Sequence, residues 1–218
     1  MKKIILVFIL LTGFYVADAQ RNKEFQIRLG LGGAVYGTTT EFTTRIGAFS
    51  YTAKDDDGAV TFHLPLELRY ELSERFNLGL DFKLGSYLYD PDSAEGKANI
   101  FFSAGIGAEY TFISAETFRL YGGVGFNSTA LALEEDAVVL GIPVTTRAVY
   151  RGGGAKINCG VMWFFGGPFG LNANLGLDTH NFTLKSFEQN GQEWDLSNFD
   201  GKLTVKGVDV ALGLVVRL

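Results

Sequence analysis

Residues 60–89 read VTFHLPLELRYELSERFNLGLDFKLGSYLY, and their alternation decides the fold. Val60, Phe62, Leu64, Leu66, Leu68, Tyr70 and Leu72 take every second position, with Thr61, His63, Pro65, Glu67, Arg69 and Glu71 between them. After Ser73-Glu74 the pattern restarts: Phe76, Leu78, Leu80, Phe82, Leu84 and Leu88 against Asn77, Gly79, Asp81, Lys83 and Gly85. Successive side chains of a strand point to opposite faces. A period of two therefore predicts two strands, each apolar on one face and polar on the other, joined by a tight turn.

The same period runs outward in both directions. Apolar positions recur over Phe25–Val35, Ile100–Phe112, Phe118–Phe126, Ala155–Phe165, Leu171–Leu177 and Val208–Leu218, which brings the total to eight strands. The connections alternate in length. Short ones fall around Ser73-Glu74, Ser114-Ala115-Glu116 and Gly166-Gly167-Pro168; long ones are expected at 37–59, 89–98, 128–154 and 183–206. Short turns at one end and long loops at the other are the plan of an up-and-down antiparallel barrel that crosses a membrane. An even strand number leaves both termini at the short-turn end.

Composition agrees. In 218 residues there are 28 Gly, 4 Pro and one Cys, with 47% hydrophobic and 14% aromatic content. So much apolar material excludes a disordered chain, and one Cys excludes a disulfide framework. A net charge of −5 without a basic run gives no nucleic-acid footprint. Residues 1–19 read as a cleaved export signal: Lys2 and Lys3, an apolar run from Ile4 to Leu11, then Ala17-Asp18-Ala19. That leaves 20–218 as the barrel domain.

Alternation alone does not say which face meets lipid, since a soluble barrel buries its apolar face. Three features favour apolar-out. The apolar positions carry no charge, the strand glycines fall mostly on the polar face, and the apolar-face aromatics gather at set depths. Phe25, Tyr70, Phe76, Tyr110, Phe112, Phe118, Trp163 and Phe165 all fall at the short-turn end, as an interfacial aromatic girdle requires. Glycines on an inward face leave room in a narrow lumen for larger neighbours.

With these strands in place, the mature chain resembles the small eight-stranded outer-membrane barrels of the OmpA/OmpX type, without a periplasmic domain. The terminal strand Gly207–Leu218 is similar to the signal read by the barrel-assembly machinery, although relatives commonly end in an aromatic where this chain has Leu218. The resemblance implies a monomer in the outer membrane of a Gram-negative bacterium, surrounded by outer-membrane lipid and lipopolysaccharide, with periplasmic termini. It implies no cofactor.

The polar face places Arg28, Arg69, Lys83, Arg119 and Lys156 against Glu67, Asp81, Glu109, Asp178 and Asp209. Charges in a narrow lumen persist when paired, so an ion-pair network that plugs the barrel is expected, with a charge-lined passage for small solutes as the alternative. No metal site is expected. Asp55-Asp56-Asp57-Gly58 reads as a solvated loop tip rather than a cation site. His180 reads as a solvated residue at the outer rim, and Cys159 as a small lipid-facing side chain. Lipid A deacylases carry a His-x-Ser pair on a late strand. Here the stretch is His180-Asn181-Phe182, which argues against an enzyme acting on outer-leaflet lipid. Pro65 predicts a bulge, or a weakened seam between strands. Ala137–Val144 is an apolar run in a long loop, and Asn190-Gly191 predicts a tight hairpin turn. The function expected is non-enzymatic: envelope structure, with the loops offered to an extracellular ligand. A small transport barrel is the alternative.

Overall fold

The computed structural model describes residues 24–47, 49–89, 98–139 and 142–218. The expected export signal, the middle of the 89–98 connection and the centre of the Ala137–Val144 run lie outside them. Nine strands follow in chain order: β1 Phe25–Ile46, β2 Phe49–Ser73, β3 Phe76–Tyr89, β4 Ala98–Ser114, β5 Phe118–Val139, β6 Ile142–Phe164, β7 Phe169–Gln189, β8 Gln192–Glu193 and β9 Phe199–Arg217. Each long strand pairs antiparallel with its neighbours, and β9 pairs with both β7 and β1, so eight strands close into a barrel. β8 is a two-residue addition on β7. The fold is the expected transmembrane up-and-down barrel.

The faces follow the sequence parity. Leu31, Leu212, Ile106 and Leu177 stand exposed on the outside, while Arg28, Glu67, Arg69 and Glu109 are buried inside. Leu31 and Leu212 are register partners, 71% and 64% exposed. A belt of such residues around a closed barrel is a lipid-facing surface. The girdle aromatics stand on the outward face close to the short turns. Several are paired across strands: Phe25 with Tyr70, Phe76 with Tyr110, Phe118 with Trp163.

The strands are much longer than the alternation of apolar and polar residues suggested. The connections expected at 37–59, 128–154 and 183–206 are mostly strand. β1 and β2 stay in register from Phe25↔Tyr70 to Ile46↔Phe49, and β5 and β6 from Phe118↔Trp163 to Val139↔Ile142. Asp55, Asp56 and Asp57 are therefore no loop tip: they face Thr40, Thr39 and Thr38 halfway up a hairpin, with Thr39 Oγ1 donating to Asp56 at 2.6 Å.

The cause of the misplaced boundaries is a change of polarity without a change of parity. On β9 the outward residues run Lys202, Thr204, Lys206, then Val208, Val210, Leu212. The inward ones run Leu203, Val205, then Gly207, Asp209. On β7 the inward series Asp178, His180, Phe182, Leu184 changes the same way. Beyond the lipid belt the outside faces water and the inside becomes apolar.

Two local details differ in opposite senses. Asn190 and Gly191 have φ of 51° and 78°, the positive values that a tight hairpin turn demands, as expected for Asn-Gly. Pro65 makes no bulge. β2–β3 register passes unbroken through Pro65↔Lys83, and β1–β2 register resumes from Leu29↔Leu66 to Gly32↔His63 with the rungs between missing. A residue without N–H removes hydrogen bonds and leaves the register alone.

Leu212→Arg, in the lipid belt, is expected to destabilise the barrel by about 2–4 kcal/mol. Phe49→Arg, on the exposed hairpin tip, is expected to change stability by no more than about 0.5 kcal/mol. Urea unfolding of the barrel refolded in lipid vesicles reads both, and equal costs would contradict the assigned belt.

Candidate functional site

The inward face of an eight-stranded barrel is close enough across that residues from opposite strands meet. Glycine makes the room. A Cβ on Gly107 would lie 2.8 Å from Asp81 Oδ2, and one on Gly32 would collide with the His63 ring. Larger residues at either position would push out the charged and aromatic groups that fill the lumen.

Those charged groups fall into three sets. The central one joins Arg28, Arg69 and Lys156 to Glu67, Asp81 and Glu109. Arg28 grips Glu109 with two nitrogens, at 2.9 and 2.8 Å, and reaches Glu67 at 3.2 Å. Arg69 donates from Nε to Glu109 at 2.8 Å and from Nη2 to Asp81 at 2.5 Å. Lys156 Nζ stands 3.5 Å from Glu67 and 3.6 Å from Asp81. Three cations thus balance three carboxylates, all of them buried. Such a cluster survives desolvation because each charge has opposite charges within hydrogen-bonding range, and the bidentate Arg28–Glu109 pair fixes its geometry.

A second set lies toward the long hairpins. Lys83 Nζ is 2.9 Å from both Asp178 and Asp209, and His63 Nε2 is 3.2 Å from Asp209. The third lies toward the short turns: Arg119 meets Glu24 at 3.0 Å and Glu71 at 3.4 Å, and Arg217 stacks over the Phe164 ring at 3.5 Å. All ten charged residues expected on the lumen face are therefore there, yet Arg119 stands apart from the other nine, partnered by residues outside that expectation.

Uncharged residues of the inward face complete the lumen. Tyr121 packs under Arg28, whose guanidinium carbon sits 4.6 Å from the ring centre, and its hydroxyl donates to Asn172 at 2.9 Å. His180 is buried, not solvated; its ring stacks on Phe182 and its Nδ1 stands 3.5 Å from Thr129 Oγ1. Above these groups Tyr36, Tyr87, Phe101, Leu131, Phe182 and Val205 form a buried apolar layer. The signal for that layer was present: the inward parity continues through Phe182, Leu203 and Val205, the last two of which the polarity change disguised as loop. Cys159 is exposed on the outward face, as expected. Among the described residues no group of His, Cys, Asp or Glu is arranged to hold a metal ion.

Among solved structures, the outer membrane protein OprG from Pseudomonas aeruginosa superposes with a TM-score of 0.56 at 12% identity, over 89% of this chain and 95% of that one. The outer membrane protein AlkL, determined in lipid bilayers, superposes with a TM-score of 0.52 at 14% identity, over 90% of each chain. At these identities the likeness is one of fold: the chain has the architecture of the small outer-membrane barrels. No protein-family model matches the chain, and no curated protein matches it in sequence.

Glu109 takes the shortest contacts that Arg28 and Arg69 make to a carboxylate they share; Glu67, at 3.2 and 3.4 Å, is the other. Glu109→Ala is expected to cost about 3–5 kcal/mol, because it leaves three buried cations facing two carboxylates. Arg119→Ala, whose partners lie nearer the water at the short-turn end, is expected to cost less. Denaturant midpoints of the two variants check the order, and its reversal would move the centre of the network.

Proposed function

We propose that the protein is a non-enzymatic outer-membrane barrel whose lumen is plugged and whose work is done by its projecting hairpins. The observation that carries this reading is the central network. Six buried charged side chains from five strands meet across the full width of the lumen and neutralise one another. A solute passing through would have to separate pairs that are paid for only by each other's proximity.

The hairpins support the second half. From Tyr36 to Ile46, β1 continues for roughly 35 Å of strand at about 3.4 Å per residue, paired along most of that length to both β2 and β9. Such an extension is a stiff arm rather than a mobile loop. Its tip exposes Ile46, Phe49 and Tyr51, apolar groups held away from the lipid belt. Exposed apolar surface of this kind marks a contact site, here for an extracellular ligand or partner. A second arm ends at Asn190-Gly191. Beside it, the Ser197 backbone N–H and hydroxyl hold the Asp195 carboxyl below its ordinary pKa and fix the following loop.

In this reading the short turns and both termini are periplasmic, the girdle aromatics mark the periplasmic lipid boundary, and β9 is the strand offered to the assembly machinery. Lipid and lipopolysaccharide surround the belt, and the barrel acts as a monomer. The non-catalytic assignment rests on His180-Asn181-Phe182, which has no nucleophile two residues on.

Planar bilayers test the plug. The refolded mature chain is expected to be silent, and Arg28→Ala combined with Arg69→Ala and Glu109→Ala to show discrete currents. Reproducible wild-type channels would make transport the function. Orientation is read on intact cells: in a Cys159→Ser background, Phe49→Cys should react with a membrane-impermeant maleimide and Glu116→Cys only after permeabilisation. The reverse pattern would turn the barrel over.

A further inference from the structure

On β6, β7 and β9 the lipid belt ends at one row of register partners, Ile157, Leu177 and Val208, all exposed and apolar. The outward residues of the next three rows, toward the long hairpins, are of another kind. The farthest row sets Arg151, Thr183 and Lys202 side by side, and the nearest puts Lys206 beside Thr179. Between them Thr204 Oγ1 donates to Asn181 Oδ1 at 3.2 Å, which occupies the amide oxygen and leaves the amide N–H groups facing solvent. On β6 the two lower positions are Gly153 and Ala155, so the surface is shallowest there. Arg151, Lys202 and Lys206 are exposed, and among the described residues none of the three donates a hydrogen bond or meets a carboxylate.

Charge is sorted around the barrel at this height. Those three rows hold no carboxylate, whereas on the adjoining hairpin Glu41 faces Lys54 in register and Asp56 accepts from Thr39. Glu41 is also the register partner of Lys202 and marks the edge of the basic face; farther out, Lys185 and Asp200 continue β7 and β9 with opposite charges. Three unpaired cations directly above a lipid-facing surface lie where lipid headgroups begin, and they favour an anion there. Guanidinium and ammonium groups suit phosphate. The face runs ~13 Å along β9 from Lys202 to Lys206 and ~10 Å across from Arg151 to Lys202, from strand rise and spacing. A lone phosphodiester would cover one corner of that area. A sugar bearing phosphate would reach the cations and also bring hydroxyls to the threonines and Asn181.

We propose that this face holds one outer-leaflet lipid whose headgroup is a phosphorylated sugar, distinct from the lipid that surrounds the whole belt. The phosphate lies among Arg151, Lys202 and Lys206, the sugar hydroxyls meet Asn181, Thr183 and Thr204, and the acyl chains descend over Ile157, Leu177 and Val208. That the leaflet is the outer one rests on the reading that the hairpins are extracellular; the site itself does not.

The test is native mass spectrometry of the mature barrel released from neutral detergent micelles and titrated with bis-phosphorylated lipid A, with its phosphate-free form or with phosphatidylglycerol. Saturable retention of one lipid A per barrel is expected, with the other two lipids at least tenfold weaker. Lys202→Gln and Lys206→Gln should each weaken lipid A binding about fivefold, and the two combined with Arg151→Gln about 100-fold. Arg45→Gln with Lys54→Gln, which removes two cations of the neighbouring hairpin, should leave it unchanged. No saturable wild-type binding, a triple variant that binds like wild type, or equal weakening by the hairpin pair overturns the site. Phosphate-free lipid A binding as tightly as the phosphorylated form overturns the role of the phosphate, and phosphatidylglycerol doing so overturns that of the sugar. Heat-modified gel mobility establishes that each variant is folded; should the triple variant fail there, Lys206→Glu takes its place. Binding in detergent is indifferent to orientation, so its failure strikes the site, whereas reversed maleimide labelling on cells overturns the leaflet alone.

Discussion

Lipid offers no hydrogen bonds, and everything else in this barrel follows from that. A strand in the bilayer must find partners for every N–H and C=O within the protein, so the sheet closes on itself, here by β9 joining β1 to β7. Closure with eight strands fixes a diameter at which inward side chains reach one another. The lumen is then a core by geometry, whether or not its residues are apolar. Polar groups placed there cannot be left to water, and the arginines and carboxylates accordingly occur as a balanced cluster. Pro65 shows how far the constraint bends: two rungs between β1 and β2 are missing, and the intact β2–β3 and β1–β9 ladders on either side hold the register.

How much of this was legible in the sequence depends on which physical rule wrote it. Parity is written residue by residue, so the eight barrel strands, their outward faces and the three short turns could be read directly. So could the Asn190-Gly191 turn, since it depends on local conformational preference. Strand ends could not be read from polarity. Lys202, Thr204 and Lys206 look like loop because the outward face of β9 becomes wet there, although its hydrogen-bonded ladder continues to Phe199. Had the inward series Leu203, Val205 and the matching Phe182, Leu184 been followed instead, the hairpins would have emerged. The composition of the network was legible and its partners were not. Glu109 meets Arg28 across the lumen, not along any one ladder, and neither strand order nor register carries that distance. Arg119 was grouped with the centre for the same reason, while Glu24 and Glu71, its true partners, lie at the short-turn end.

The inversion of polarity also explains why the hairpins stand up. A barrel wall in lipid is supported from outside by the hydrophobic effect acting on its belt. Once the strands leave the bilayer that support ends, and a two-stranded ribbon in water is marginal by itself. The remedy is visible in the inward residues. Tyr36, Phe182, Leu184 and Leu203 give the projecting strands an interior of their own, joined by Phe187 of β7, Phe199 at the start of β9 and Leu196 of the loop before it. Charged inward residues stop where water becomes available outside, because there the cheaper stabilisation is apolar burial.

Two interiors of opposite character are therefore stacked along one axis, and the join between them has consequences that neither has alone. The charged layer cannot admit an apolar molecule, for that would strip charges of their partners. The apolar layer cannot admit a charge, for it has none unpaired to offer. At Lys83, Ser103, Thr129 and His180 polar groups face the apolar walls above them. Packing is hardest to satisfy at such a boundary, because no single side chain of ordinary shape completes both environments. The small cavity lined by Tyr36, Phe101, Leu131 and Phe182 lies at that level.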